Sequence, residues 1–371
     1  MGCSEKTTLQ ERAKKYYSLK YALSLAESGY LIALLILFQA SGLSARLVNV
    51  ISRLGPKAYL VFPLYLAAVY CAYYILNFPL NIYHSFVLER SFCLSNQKFS
   101  AWFKDQFKSA AISYIILLVL FAAFYYILAH NPYNWWIIIS AVWIFFSLIL
   151  AKLTPLIIIP LFFKYKVLDD QALRQRIAGL AKKMGVALLD VFEIDLSKKT
   201  LKANAALVGW GRSRRVLLAD TLKNKYTHEE IEVILAHEFA HYRLKHIFKL
   251  IFINSLVTIL TFYLIFQSSG YVLELFGLSS LQDTAALPLI LLYFVIVGMI
   301  LRPAENYFSR RMENNADIMA LKVTGLKGPF ISMMDKLASQ NLADRNPSLI
   351  IKLFFFDHPP IDERIKTAQS F

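Results

Sequence analysis

Residues 227–267 read THEEIEVILAHEFAHYRLKHIFKLIFINSLVTILTFYLIFQ, and a metal-type helix and a membrane helix meet in this one stretch. It opens on Thr227 with Glu230 three positions on, a capping box in which hydroxyl and carboxylate satisfy the first free amides of a helix. In the helix that follows, His237 and His241 stand one turn apart on one face, with Glu238 beside them. Two imidazoles so placed can grip one metal ion. The neighbouring carboxylate can take a proton from water and pass it to a leaving amine. From Leu250 the chain then stays apolar for long enough to cross a bilayer.

The rest of the chain fits that junction. Of its 371 residues 57% are hydrophobic and only 18% charged, with a mean hydropathy of +0.48, which excludes an ordinary soluble enzyme as well as disordered and collagen-like chains. Six apolar runs bounded by charges are expected to span: Ser28 to Ala45, Ala58 to Leu88, Ser109 to His130, Asn131 to Ala151, Leu250 to Leu273 and Thr284 to Leu301. A hydrocarbon core of about 30 Å needs roughly 20 helical residues, and continuous runs mean helices rather than barrel strands. Ser28 to Ala45 is the weakest, with an earlier start at Tyr21 as the remedy. Pro155 and Pro160 should kink or end the fourth helix before Lys164. Trp135, Trp136, Tyr125 and Tyr126 suit an interfacial aromatic belt.

Charge sets the expected orientation. Lys6, Arg12, Lys14, Lys15, Lys20, Arg90, Lys98, Lys104 and Lys108 share one side, against Arg46, Arg53 and Lys57 on the other, so both termini and the long polar regions should be cytoplasmic. The net charge of +15 faces anionic lipid headgroups of the bilayer, and no nucleic-acid motif accompanies it. Arg212, Ser213, Arg214 and Arg215 read as a solvated turn or a headgroup contact. Cys3, Cys71 and Cys93 are too few and too irregular for a disulfide framework or a thiolate metal site. Four parts result: 1–162 with four spans, 163–248 as an α+β region ending in the His-Glu-x-x-His helix, 249–302 with two spans, and 303–371 completing the site. Within the second, a helix from Asp170 to Met184 stopped by Gly185 precedes strand-like pieces Leu188 to Ile194, Leu201 to Val208 and Arg215 to Leu218.

A catalytic zinc takes three protein ligands and keeps a position open, so a third ligand must come from elsewhere. After the sixth span, Glu313 and Asp317 fall one turn apart on a helix: Glu313 as ligand with Asp317 holding a ligand imidazole, or two exposed carboxylates balanced by Arg310 and Arg311. His228 and His246 read as surface or interface groups.

HEFAH at 237–241 followed across two spans by NYFSRRMENNAD at 306–317 resembles the type I CaaX prenyl endoprotease family, integral-membrane zinc metalloproteases of gluzincin type. PLNIYHSFVLERSFCLSNQKFSAWFKDQFKS at 79–109, KANAALVGWGRSRRVLLADTL at 202–222 and DHPPIDERI at 357–365 extend the resemblance from about residue 60 to the C-terminus. It implies a mainly α, polytopic membrane protein of about six transmembrane helices with a small α+β gluzincin-type zinc metalloprotease domain. One Zn2+ would be held by His237, His241 and Glu313, with Glu238 as general base and acid and Asp317 behind the ligands. His358 and Arg364 would reach the active site to bind the substrate carbonyl or oxyanion, and Asn204 and Ala205 would pair with an extended peptide. Pro360, Asp362 and Glu363 also suit a helix start. The substrate would be a peptide or protein, prenylated in the eukaryotic members. Those members are longer and carry seven spans, and AQSF at the end is no retrieval signal for the endoplasmic reticulum. A prokaryotic inner-membrane enzyme that clips membrane-associated or misfolded proteins is therefore the other expectation. A transporter with a structural zinc is disfavoured by the few ionisable residues in the spans, chiefly Glu27 and His84, and an inactive scaffold by the intact Glu238.

Overall fold

The computed structural model describes residues 8–209, 211 and 214–371; Cys3, Lys6, Arg212 and Ser213 lie outside the described residues. The chain begins with α1 (Leu9–Ala40), α2 (Leu43–Arg53), α3 (Ala58–Ile82) continued by α4 (Leu88–Ser91), α5 (Phe99–His130), and α6 (Trp135–Leu153) continued by α7 (Ile159–Phe162). An α+β region follows: β1 (Tyr165–Val167), α8 (Gln171–Lys183), β2 (Asp190–Ile194), β3 (Ala205–Val208), β4 (Arg215–Ala219), α9 (Asp220–Lys223) and α10 (His228–Arg243). Next come α11 (His246–Leu275) and α12 (Leu287–Thr324), then α13 (Lys327–Gln340), α14 (Leu349–Phe355) and α15 (Ile361–Gln369). Six helical segments among the described residues are long and apolar enough to cross a membrane, as expected.

Three boundaries differ from the sequence reading. The first helix starts at Leu9, because Thr8 and Glu11 form a capping box, and its charged first half carried no apolar run to reveal it. It stops at Ala40 rather than continuing to Ala45, because Gly42 turns into the left-handed region (φ 69°) and opens the separate, amphipathic α2. Pro155 does not end the fourth span. The helix widens into a single π turn over Thr154–Ile158 and runs on to Phe162; a like turn at Tyr83–Val87 joins α3 to α4. The belt expected of Trp135 and Tyr125 is corrected as well: Trp135 is buried edge-on against Phe124 and Phe262 inside the bundle, and Phe62 packs on Tyr125. Cys93 is disulfide-bonded, although the number and spacing of the cysteines implied no disulfide framework, and Cys71 is free.

The sheet has the order β1-β2-β4-β3, with β2 and β4 parallel and the outer pairs antiparallel. β1 was missed because three residues carry no alternation to read. β3 pairs with β4 alone among the described residues, so its outer edge is open to another strand. α8, capped by Asp170 and stopped at Gly185 (φ 66°), packs with α10 over Leu173, Ile177, Ile231, Leu235 and Phe239, all fully buried. A buried aromatic or aliphatic side chain of this kind contributes about 1.5–3 kcal/mol, which makes α10 the spine of the domain. The sixth span does not end at the domain: α12 runs unbroken past residue 302 and carries Glu313 and Asp317 to the face of α10.

Candidate metal centre

The expected capping box starts α10: Thr227 N donates to Glu230 Oε2 at 2.8 Å, and Glu230 N to Thr227 Oγ1 at 3.2 Å. Two turns on, the Nε2 atoms of His237 and His241 lie 3.0 Å apart. Glu313 brings Oε2 to 3.1 Å from His237 Nε2 and Oε1 to 3.2 Å from His241 Nε2. Glu313 and Asp317 are buried, at 6% and 0% exposure, which removes the alternative of two solvated carboxylates. Nor does Arg310 balance them. It is turned to the carbonyls of Lys352 and Phe356, and Asn306 bonds that of Leu353, so the motif after the sixth span clamps α14 and the turn that presents His358.

The protons decide what this cluster can hold. His237 Nδ1 faces Asp317 Oδ1 at 2.8 Å, and Arg364 grips both oxygens of that carboxylate at 2.6 and 2.7 Å, so Asp317 accepts the His237 Nδ1–H. The Nε2 atom of His237 faces Glu313. Oε2 of Glu313 is buried and lies 3.1 Å from that nitrogen. A carboxylate packed this closely against two ring nitrogens needs positive charge between them, a proton or a metal ion. Burial pulls the His237 imidazole down, but Asp317 and Glu313 outweigh it and push it up to about 9. The two nitrogens and one carboxylate oxygen lie within 4.8 Å of one another. Tetrahedral zinc at about 2.0–2.1 Å from its ligands needs donor atoms roughly 3.3 Å apart, so the residues fit the ion.

Glu238 is half-buried and lines a cavity of about 450 Å³ together with His237, His241, Glu313 and His358. Burial raises its carboxyl above the ordinary range, although the imidazoles of His237 and His241 oppose the shift. His358 Nε2 lies 3.4 Å from Glu313 Oε1 and its Nδ1 2.8 Å from Asp357 Oδ1. Burial lowers His358, but the Asp357 hydrogen bond and the charge of Glu313 outweigh it and raise it above the ordinary imidazole value. Arg364 is not among the residues that line the cavity; its guanidinium is paired with Asp317, with Nη2 3.5 Å from His237 Nδ1. Asn204 and Ala205 sit at the start of β3 and do not line the cavity, whereas Leu207 and Gly209 of the same edge do. The sequence reading missed these two. Alternation along the strand was the signal for Leu207. It also missed His246, which is buried with Nδ1 3.0 Å from His241 Nδ1, while His228 is exposed and paired with Asp170 as read.

A polytopic helical bundle that brings two imidazoles, a distant carboxylate and a half-buried glutamate into one cavity defines an integral-membrane zinc metalloprotease. Peptidase family M48 matches residues 168–371, and the family described as CAAX prenyl protease N-terminal, five membrane helices, matches residues 5–164. The chain belongs to peptidase family M48, whose metalloproteases depend on zinc. It is 32% identical over 281 residues to the uncharacterized metalloprotease YhfN of Bacillus subtilis, covering 75% of this chain and 66% of that protein. It is 30% identical over 314 residues to CAAX prenyl protease 1 of Saccharomyces cerevisiae, covering 78% and 68%. The chain thus spans about two thirds of the length of these relatives. The crystal structure of S. mikatae Ste24p shares the fold, with a TM-score of 0.88 at 23% identity over 99% of this chain and 91% of that one. Four long apolar helices stand among the described residues of the region matched by the N-terminal family.

Proposed function

We propose that this chain is an endopeptidase acting on membrane-associated proteins that carry an apolar anchor, with His237, His241 and Glu313 as zinc ligands. Residues 1–162 and 249–302 form its membrane part, and 163–248 with 303–371 its catalytic part. Zinc held there supplies Lewis acidity toward a carbonyl and water. The chain supplies the rest. Glu238 takes a proton from the attacking water as its oxygen bonds to the carbonyl carbon, and delivers it to the amine nitrogen as the C–N bond breaks. His358 donates a ring N–H to the oxyanion as charge develops, stabilising the transition state more than the ground state. The peptide lies along the open edge of β3, from Asn204 and Ala205 to Leu207 and Gly209, with its backbone paired as an added strand. Arg364 holds Asp317, and Asp317 holds His237.

The observation that carries this reading is the convergence of Glu238 with the three acceptors in one cavity. Replacing Glu238 by Gln is expected to leave the zinc content unchanged and to lower peptide turnover by about 10²–10⁴-fold. Unchanged turnover in the zinc-loaded variant would remove Glu238 from the chemistry.

An apolar groove of about 780 Å³ between α11 and α12 supports the anchored substrate. Phe252, Leu256, Leu260 and Leu301 line it, and it shares Lys245 and Phe248 with the active-site cavity, so an isoprenoid beside the scissile bond has a place to lie. The cytoplasmic location follows from the basic residues of the N-terminal half. Arg12, Lys14, Lys15 and Lys20 belong to the end of α1 that meets the catalytic part, where Tyr16, Glu89 and Lys202 bond to one another.

A further inference from the structure

His246 lies outside the ligand set, yet it is 1% exposed, and its ring stands 5.0 Å from that of His241, centroid to centroid, inclined at 76°. The link between the helices is two residues, Leu244 and Lys245, and Lys245 takes φ 56°. That left-handed conformation costs a non-glycine residue on the order of 1 kcal/mol or more. It folds the first residue of α11 back against the last turn of α10. Between Nδ1 of His246 and Nδ1 of His241, 3.0 Å apart, one nitrogen donates and the other accepts. A His241 ring that offers its Nε2 lone pair to zinc carries its proton on Nδ1. The acceptor is then Nδ1 of His246.

We propose that His246 is the positioning residue of His241: it accepts the Nδ1–H and so fixes the tautomer and ring orientation that aim Nε2 at zinc. The inference rests on the metal-centre reading above. His246 does for His241 what Asp317 does for His237, but with a neutral acceptor, so no second buried anion has to be compensated. A separate observation points the same way. His246 Nε2 is buried with no hydrogen-bond partner among the described residues, and an unsatisfied buried N–H costs about 1–3 kcal/mol. A position chosen for packing alone would take an apolar ring.

The test is zinc affinity of the full chain in detergent, read by competition with a chromogenic chelator, in His246→Leu, His246→Asn and His246→Gln. Asn places its Oδ1 where Nδ1 stands, Gln places its polar end where Nε2 stands, and Leu offers no acceptor. Loss of the acceptor is expected to weaken zinc binding about 10–100-fold in the Leu and Gln variants, with Asn restoring most of the affinity. Leu binding zinc as tightly as wild type overturns the inference. Should the Leu variant not fold, the Asn and Gln variants decide, and equal affinity for the two overturns it. Glu313→Ala serves as control: if it keeps its zinc, the metal-centre reading fails, and if it loses zinc while His246→Leu does not, only the role of His246 fails.

Discussion

Arg364 shows how far a side chain's use departs from its motif. Its guanidinium and the Asp317 carboxylate are nearly enclosed, at 11% and 1% side-chain exposure, and bond bidentately. Removing one partner of such a pair strands a buried charge, at a cost of about 3–5 kcal/mol. Arg364→Ala is therefore expected to lower the unfolding temperature of the detergent-solubilised protein and to weaken zinc binding through a loosened His237. A variant with wild-type stability and zinc affinity but poor turnover would instead return Arg364 to the oxyanion. The spacing of His237, His241 and Glu238 was legible because it is local to one helix. The uses of Arg364, Arg310 and His246 were not, because each depends on which backbone or ring comes to lie beside it from a distant segment. For Glu313 and Asp317 the sequence offered ligand and solvated face as equal options, and burial separates them.

At the scale of elements, the entry to α10 ties the metal-binding helix to α13. Glu230, 2% exposed, accepts from Thr227 N, from Ser332 Oγ at 2.7 Å and from Lys336 Nζ at 2.6 Å. Burial alone would raise its carboxyl, and the Lys336, Ser332 and Thr227 hydrogen bonds reverse this and hold it below the ordinary value. A carboxyl lowered in the folded state contributes stability above its unfolded pKa and loses it as pH falls through the folded one. Glu230→Gln is thus expected to cost about 1–3 kcal/mol at neutral pH, with the deficit against wild type shrinking as the pH is lowered below about 4. A deficit that stays constant over that range contradicts the ionic account. Glu230 and Thr227 could be read from spacing alone. The π turns at Tyr83–Val87 and Thr154–Ile158 could not: the first carries no proline to mark it, and at the second Pro155 was absorbed by widening the helix rather than ending it.

For the whole molecule, the two long apolar helices flanking the catalytic part are both structural and chemical parts of the site. α11 starts at His246 and α12 delivers Glu313, so the membrane bundle sets the distance between the Glu313 carboxylate and the imidazoles of His237 and His241. The groove between the same two helices shares Lys245 and Phe248 with the cavity. If it receives the anchor of the substrate, Leu256→Trp is expected to raise KM for an isoprenylated peptide roughly tenfold, the order of a lost large apolar contact, and to leave an unmodified peptide unaffected. Equal turnover of both peptides by the wild-type enzyme would favour clipping of misfolded or unmodified membrane proteins. The six spans were visible in composition, because lipid forces continuous apolar helices. The order of the sheet and the meeting of α1 with the catalytic part were not, since they depend on contacts among segments far apart in the chain.

The claim on which the rest depends is that a carboxylate on α12 completes a metal centre begun on α10, and metal analysis of purified Glu313→Ala beside wild type and Glu238→Gln tests it most directly. About one zinc per chain is expected in wild type and Glu238→Gln, and less than about a tenth of that in Glu313→Ala, since two imidazoles alone leave the ion short of its three protein ligands. A full complement of zinc in folded Glu313→Ala would contradict it.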